Sequence, residues 1–235
     1  MKLLAIETST MMSSIALIDE NKLLAENQIE IKSTYSDALF PLIEHILKSV
    51  KVSIKEVDAF ALAQGPGSFT ALRIGISVIK GLALATNKPL IAIPSLDGLA
   101  HNICFTKLLI CPLLDARKDE VYTAFYKRED LHLLKKLTPD RVIVPEKLLD
   151  EIREDVVFLG GGSDLYRNLI VKKLKEKVLF APLHLKYPRA STIAQLALEK
   201  LKNNEIMNIE SISPVYVRAP EAEIKWAKER YHVDI

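Results

Sequence analysis

The sequence predicts an α/β protein built as two lobes of similar topology, and three observations lead there. The chain has 235 residues, more than a common domain of about 100–150, so one large domain or two closely packed lobes both fit. Short apolar or alternating runs exchange with segments of helical periodicity, the pattern of strands and helices that share a core. The order meander, helix, strand, helix also occurs twice, once in each half of the chain.

In the first half, residues 3–8 (LLAIET), 14–19 (SIALID) and 23–31 (LLAENQIEI) read as an antiparallel meander, separated by polar turns such as Glu20-Asn21-Lys22. A helix over about 36–50 follows, capped by Ser36 or Asp37, with Leu39, Leu42, Ile43, Ile46, Leu47 and Val50 at helical spacing. Residues 57–63 (VDAFALA) read as a buried strand that runs into the tight turn Gly65-Pro66-Gly67. The next helix, 69–85, carries Leu72, Ile74, Ile76, Val78, Ile79, Leu82 and Leu84 around nearly its whole circumference, so it is expected to be fully buried or to face a partner. Gly75 and Gly81 each weaken it by up to ~1 kcal/mol unless close packing compensates. Strand 90–94 and helix 95–103 complete this half.

The second half restarts with strands at 108–116, 120–128 and 131–137, then helix 146–154, strand 156–162, helix 165–174, a short strand at 178–181 and helix 192–203. Residue identity between the halves is slight, so the duplication is one of topology. The predicted division is a first lobe over 1–104, a second over 105–212 and a polar tail over 213–235. The helical stretch 221–231 of that tail has little apolar face beyond Ile224 and Trp226, and reads as a docking element or a loosely ordered end.

Composition excludes more than it assigns. Apolar residues are 49% and charged ones 26%, ordinary for a globular protein and unlike a disordered chain. The net charge of +2 is the balance of 32 basic and 30 acidic side chains, so attraction to RNA would need a local patch. Lys225, Lys228 and Arg230 with Trp226 and Tyr231 suit RNA, but Glu221, Glu223 and Glu229 dilute them, which favours a solvated helix. The apolar run at the start is broken by Glu7, too short for a signal peptide or a membrane span, and a cytoplasmic protein with no membrane partner is expected. Cys104 and Cys111 are expected to be reduced thiols.

Three loops could carry chemistry. GPGSFTALRIG at 65–75 leads from a strand into a helix and could offer backbone N–H groups of Gly65, Gly67 and Ser68 to an anion; it has neither the Walker nor the dinucleotide glycine spacing, and a tight turn with a close helix contact explains it equally well. Glu7, Thr8, Ser9 and Thr10 place a carboxylate and hydroxyls in a hairpin turn, suited to phosphate and magnesium or to ordinary turn chemistry. Gly160, Gly161 and Gly162 close a strand and could contact a base or ribose, or simply turn. No catalytic residue is assigned. Ser68 does not sit in a G-x-S-x-G elbow, the histidines at 45, 101, 132, 184 and 232 form no metal-binding pair, and His101 and Cys104, three apart, read as coincidence. Asp115, Asp119 and Glu120 read as turn carboxylates balanced by Arg117.

IETST at 6–10, GPGSFTALRIG at 65–75, DARKDEVY at 115–122 and PVYVR at 214–218, in that order, resemble the TsaB (YeaZ) family, whose older description is glycoprotease-like. The resemblance implies the actin-like ATPase (ASKHA, ribonuclease H-like) fold, two lobes each with a mixed sheet and flanking helices. It also implies a non-catalytic subunit in placing threonylcarbamoyl on the adenosine beside the tRNA anticodon, with the catalytic paralogue TsaD and the ATPase TsaE as partners, a homodimer when alone, and tRNA reached through the complex. Pairing in the family uses the helices that correspond to 36–50 and 69–85, so Tyr35, Leu39, Leu42, Phe69, Leu72, Arg73, Ile76 and Lys80 are the expected interface. No cofactor is required; ATP or ADP with Mg at the complex interface would use Glu7, Ser9, Thr10, Gly65, Gly67, Ser68, Gly160 and Gly161. The catalytic members carry two metal-binding histidines where this chain has Ser95 and Leu99, and an acidic pair where it has Met11 and Met12, so no metal site is expected. Ala71 replaces the family's usual glycine. An ATP-binding ASKHA enzyme, an ATPase or small-molecule kinase, is the alternative, and a peptidase rests on the older name alone.

Overall fold

The structure is a computed structural model that describes residues 1–31, 35–130, 134–206 and 208–218, with the side chains of Tyr35 and Ser36 also outside the description. Strands Lys2–Glu7 (β1), Met12–Asp19 (β2) and Lys22–Glu30 (β3) form the expected antiparallel meander. Ala59–Ala63 (β4) and Leu90–Ile93 (β5) add in parallel beside β1, giving the order β3-β2-β1-β4-β5. Strands β4 and β5 are buried along their whole length, which is why they read as continuous apolar runs.

Helices Tyr35–Ser49 (α1) and Phe69–Thr86 (α2) cover one face of this sheet, where Leu4, Ile6, Phe60 and Leu62 meet Leu39, Ile43, Ile76 and Ile79. α1 starts at Tyr35, so Ser36 and Asp37 lie in its first turn and not at its cap. α2 ends on Asn87 in the left-handed conformation, whose N–H donates to the carbonyls of Ala83 and Leu84. By length and composition α2 could cross a membrane, but Ala71, Leu72, Gly75, Ile76, Val78, Ile79 and Ala83 are buried in the lobe.

After helix Ser95–His101 (α3) the pattern repeats with Leu109–Asp115 (β6), Val121–Thr123 (β7), Tyr126–Arg128 (β8), Leu134–Lys136 (β9), Arg141–Ile143 (β10), Pro145–Glu151 (α4), Val156–Leu159 (β11), Gly161–Leu165 (α5), Arg167–Leu174 (α6) and Val178–Phe180 (β12). The sheet order β10-β7-β6-β11-β12 repeats that of the first lobe, antiparallel on one side of β6 and parallel on the other. This doubled arrangement is the actin-like ATPase fold.

Details differ from the sequence expectation. The run 120–128 is two strands, because Phe125 turns its N–H to Thr138 Oγ1 (2.9 Å) and its carbonyl to the N–H of Leu137 (2.7 Å). The position of third strand in the sheet belongs to β10, which the sequence reading missed, while β9 pairs only with β8. Gly161 and Gly162 open a helix and do not extend β11. Residues 131–133 and the helix expected at 221–231 lie outside the described residues.

Helices Leu183–Lys186 (α7) and Ala190–Lys202 (α8) follow β12. α8 returns to the first lobe, where Ala190, Ile193, Ala194 and Ala197 pack on Leu3, Ala5, Ala59, Ala61 and Ala63. The alanines that alternate along β4 let the helix sit close to the sheet. α3 crosses the other way, and Leu96, Leu99 and Ala100 join Ile110, Tyr126, Val157 and Leu159 of the second lobe. Packing therefore crosses the 104/105 point in both directions. Asn102, 7% exposed, ties the crossing by donating to the carbonyls of Leu185 (3.1 Å) and Tyr187 (2.8 Å) and accepting from Thr192 Oγ1 (2.7 Å).

Candidate functional site

The parallel strands β1, β4 and β5 end on one edge of the first sheet, the edge at which open α/β sheets take ligands. Glu7 ends β1 fully buried. Its Oε1 accepts the Ser9 N–H at 2.5 Å, while its Oε2 and the buried Ser9 hydroxyl have no partner among the described residues. Burial pushes the Glu7 carboxyl up to about 7, only partly offset by hydrogen bonding from Ser9. Thr10 Oγ1 donates to the carbonyl of Met12 (3.0 Å), turn chemistry of the expected kind.

The GPGS segment is clamped onto this turn. Ser68 donates its N–H to the carbonyl of Ser9 (2.7 Å), and a β-carbon on Gly67 would lie 2.3 Å from the same oxygen. Gly65 has φ of +118°, donates its N–H to Ser95 Oγ (3.1 Å) and accepts from the Ser95 N–H (2.8 Å). Two of the three N–H groups expected to serve an anion are thus engaged within the fold, that of Ser68 on the β1–β2 turn and that of Gly65 on Ser95, and the glycines are needed for close backbone approach.

In the second lobe Gly160 has φ of +91°, and its N–H donates to the carbonyl of Lys186 (2.7 Å). Gly161 faces open space. In the turn between β6 and β7, Arg117 pairs with Asp115 at 3.2 Å as expected, whereas Glu120 pairs with Arg218 from the C-terminal segment. Arg117, Lys118 and Asp119 are all left-handed, with φ of 61°, 54° and 57°. Away from these loops, a cavity of about 550 Å³ opens between the β2–β3 turn and α8; Glu20, Lys22, Glu199 and Lys202 give it mixed charge, and it contains no predicted site residue.

The expected partner surface needs correction. Leu39 and Leu72 are 0% exposed and Ile76 is 5% exposed, all within the core of their own lobe, so none can meet a partner. Leu42 is half-buried against that core. Lys80 is half-buried and donates to the carbonyls of Glu210 (3.3 Å) and Ile212 (2.9 Å). Phe69 stacks on Tyr216 with centroids 4.9 Å apart, and the exposed Arg73 sits 3.7 Å above the Phe69 ring. The side chain of Tyr35 lies outside the description. What α2 does expose is a stripe of Thr70, Arg73, Ser77, Gly81 and Leu84, with Phe40 exposed on α1.

Comparison with known proteins places this geometry. A family model described as TsaD, tRNA N6-adenosine threonylcarbamoyltransferase, matches residues 22–226. The tRNA threonylcarbamoyladenosine biosynthesis protein TsaB of Bacillus subtilis is 32% identical over 98% of this chain and 100% of its own length. YeaZ from Pseudomonas aeruginosa superposes with a TM-score of 0.77 at 28% identity, covering 92% of this chain and 100% of that one. This chain belongs to the TsaB (YeaZ) family. A TsaD-type relative, the tRNA N6-adenosine threonylcarbamoyltransferase of Kosmotoga olearia, is 31% identical over 93% of this chain but only 72% of its own length.

In this TsaB-family chain the two positions expected to differ from the catalytic relatives have structural work. Ser95 is buried and its hydroxyl accepts the Gly65 N–H, while Leu99, 0% exposed, packs in the second-lobe core beside Gly160. Among the described residues no three His, Cys, Asp or Glu side chains are grouped to hold a metal. His101 Nδ1 lies 2.7 Å from the Asp97 carbonyl. Both cysteines are free, and burial pushes the Cys111 thiol up to about 12. The sequence reading missed the contacts that hold the C-terminal segment, those of Gln64 with it and of its own Tyr216 and Arg218 with the two lobes; PVYVR was legible as a motif, but no local pattern names its contacts.

Proposed function

We propose that this chain is a non-catalytic partner subunit in making threonylcarbamoyladenosine in tRNA, acting by binding and stabilising a catalytic paralogue of the TsaD kind. The observation that carries the reading is the outward stripe of α2, where Ser77 and Gly81 share a face with a 59% exposed Leu84 on a helix whose other side is core. Nothing lies within 4 Å of a β-carbon built on Gly81. Small residues next to an exposed leucine let a partner helix approach closely and bury an apolar anchor. Leu99 and Ser95 support the non-catalytic part, since leucine has no ligand atom and this serine is already hydrogen bonded. On this reading the protein acts in the cytoplasm, the ATPase TsaE and tRNA meet it through the complex, and two copies pair through the same face when the paralogue is absent.

Joint substitution of Ser77→Arg and Leu84→Asp tests it, because both side chains are exposed and the fold should survive. Loss of co-purification with the paralogue, with an unchanged melting curve, is expected. Retained binding would refute this interface.

A second reading, nucleotide binding in the crevice between the lobes, is favoured by the buried Glu7 and Ser9, each with an oxygen that has no partner among the described residues. Calorimetric titration with Mg-ADP and Mg-ATP decides it. Micromolar binding with turnover would make the chain an ATP-using enzyme, and binding without turnover would leave it a nucleotide-holding subunit.

A further inference from the structure

Residues 212–218 are bound along their length. Ile212, 2% exposed, enters the first-lobe core, and its carbonyl accepts from Lys80 of α2. Next, the Ser213 carbonyl accepts from Gln64 Nε2 (2.8 Å), and the Val215 N–H donates to the Gln64 carbonyl (2.9 Å). Gln64 directly follows β4, so the segment lies across the C-terminal strand ends of the first sheet. Gly65 admits it, since a β-carbon there would stand 2.5 Å from the Val215 carbonyl oxygen. Tyr216 stacks on Phe69 and accepts at its hydroxyl from Arg73 Nε (2.8 Å). Arg218 then reaches the other lobe, donating to the Ala116 carbonyl (3.0 Å) and pairing with Glu120. These two contacts bracket the three left-handed residues of the β6–β7 turn.

We propose that residues 212–218 are a latch across the crevice between the lobes, and that release of Arg218 from Ala116 and Glu120 opens the crevice to a nucleoside diphosphate with its cation. Two physical points support the assignment. The first lobe holds the segment through the core side chain of Ile212 and four hydrogen bonds, whereas among the described residues the second lobe holds it through Arg218 alone. One side chain is the smaller of the two anchors, so this end lets go first. The latch also shares Arg73 with the outward stripe of α2. A partner docked there bears on the anchor of Tyr216, so docking and release act on the two ends of one short segment. The ligand part rests on the nucleotide reading above; the latch itself does not.

Hydrogen exchange on the full chain tests the latch. Arg218→Gln and Glu120→Gln should each speed exchange of the amides at 116–121 and 213–217 about tenfold, while α8 keeps its protection. The exchanged pair, Arg218→Glu with Glu120→Arg, should restore part of the protection, because the ion pair returns while the Ala116 carbonyl stays without its donor; a purely steric role for either residue would allow no rescue. Unchanged exchange at 116–121 overturns the latch, as does loss of protection throughout the chain that the exchanged pair fails to rescue. Mg-ADP titration is the second arm. Binding about tenfold tighter to Arg218→Gln than to the unaltered chain supports gating, and equal measurable affinities overturn it. Faster exchange with no ADP binding to either protein supports the latch and sinks the nucleotide reading alone.

Discussion

The Ser68 amide donates to the Ser9 carbonyl at 2.7 Å, and Gly67, next to it, passes so close that a β-carbon would stand 2.3 Å from the same oxygen. Gly67→Ala should therefore cost about 1–3 kcal/mol, because the obstacle is backbone and cannot rotate away. At Gly75 the obstacle is the Thr8 side chain, 2.2 Å from a built β-carbon, and Gly75→Ala should cost less. Urea midpoints at unchanged m-value give the order.

Gly81 is the opposite case. It lies inside α2 with open space beyond it, so Gly81→Ala should raise stability by up to ~1 kcal/mol through helix propensity. Gly81→Phe should leave folding intact and block the proposed partner. A melting curve and a co-purification assay on each variant read the two effects separately.

Glu7 gives a pH dependence with a definite sign. Its carboxyl goes from an ordinary value of 4.5 to about 7 in the fold, so folding takes up a proton between those values. The contribution to stability is complete below about pH 4.5 and is lost as pH rises through 7, amounting to about 3 kcal/mol for a shift of this size. Denaturant unfolding at several pH values, compared with Glu7→Gln, should show the difference grow in favour of the variant between pH 4.5 and 7 and then level off.

Histidines placed at positions 95 and 99 should not make a metal site. Leu99 has no exposure and packs beside Gly160, so Leu99→His puts an imidazole into an apolar core, at a cost of about 2–4 kcal/mol. Ser95→His also removes the hydroxyl that accepts the Gly65 N–H. The double variant should melt lower and bind no zinc by calorimetry; tight zinc binding with a raised melting point would show that the catalytic site was only latent.

Much of the fold was legible because strands and helices announce themselves by period. β1 to β5 and both helices of the first lobe fall within a residue or two of their expected bounds. The direction each side chain faces was not legible for α2. An all-round apolar helix gives no phase; Ile76 turned inward where the sheet and α1 offered it cover, and Leu72 where it meets Gly65. β10 was missed since three residues, Arg141–Ile143, carry too little pattern, and its pairing with β7 spans the β8–β9 excursion. The GPGS segment was readable as a turn, but its hold on Ser9 is a tertiary contact between segments about sixty residues apart. Likewise the partners of Arg218 lie about a hundred residues away and no spacing rule reaches them.

The exchange of α3 and α8 has a consequence for synthesis. While the ribosome is still making the second half, the face of the first sheet formed by Leu3, Ala5, Ala61 and Ala63 has no helix to cover it, because α8 is encoded beyond residue 189. The nascent first half must wait with an oily flank exposed, and a fragment cut near residue 104 would wait indefinitely.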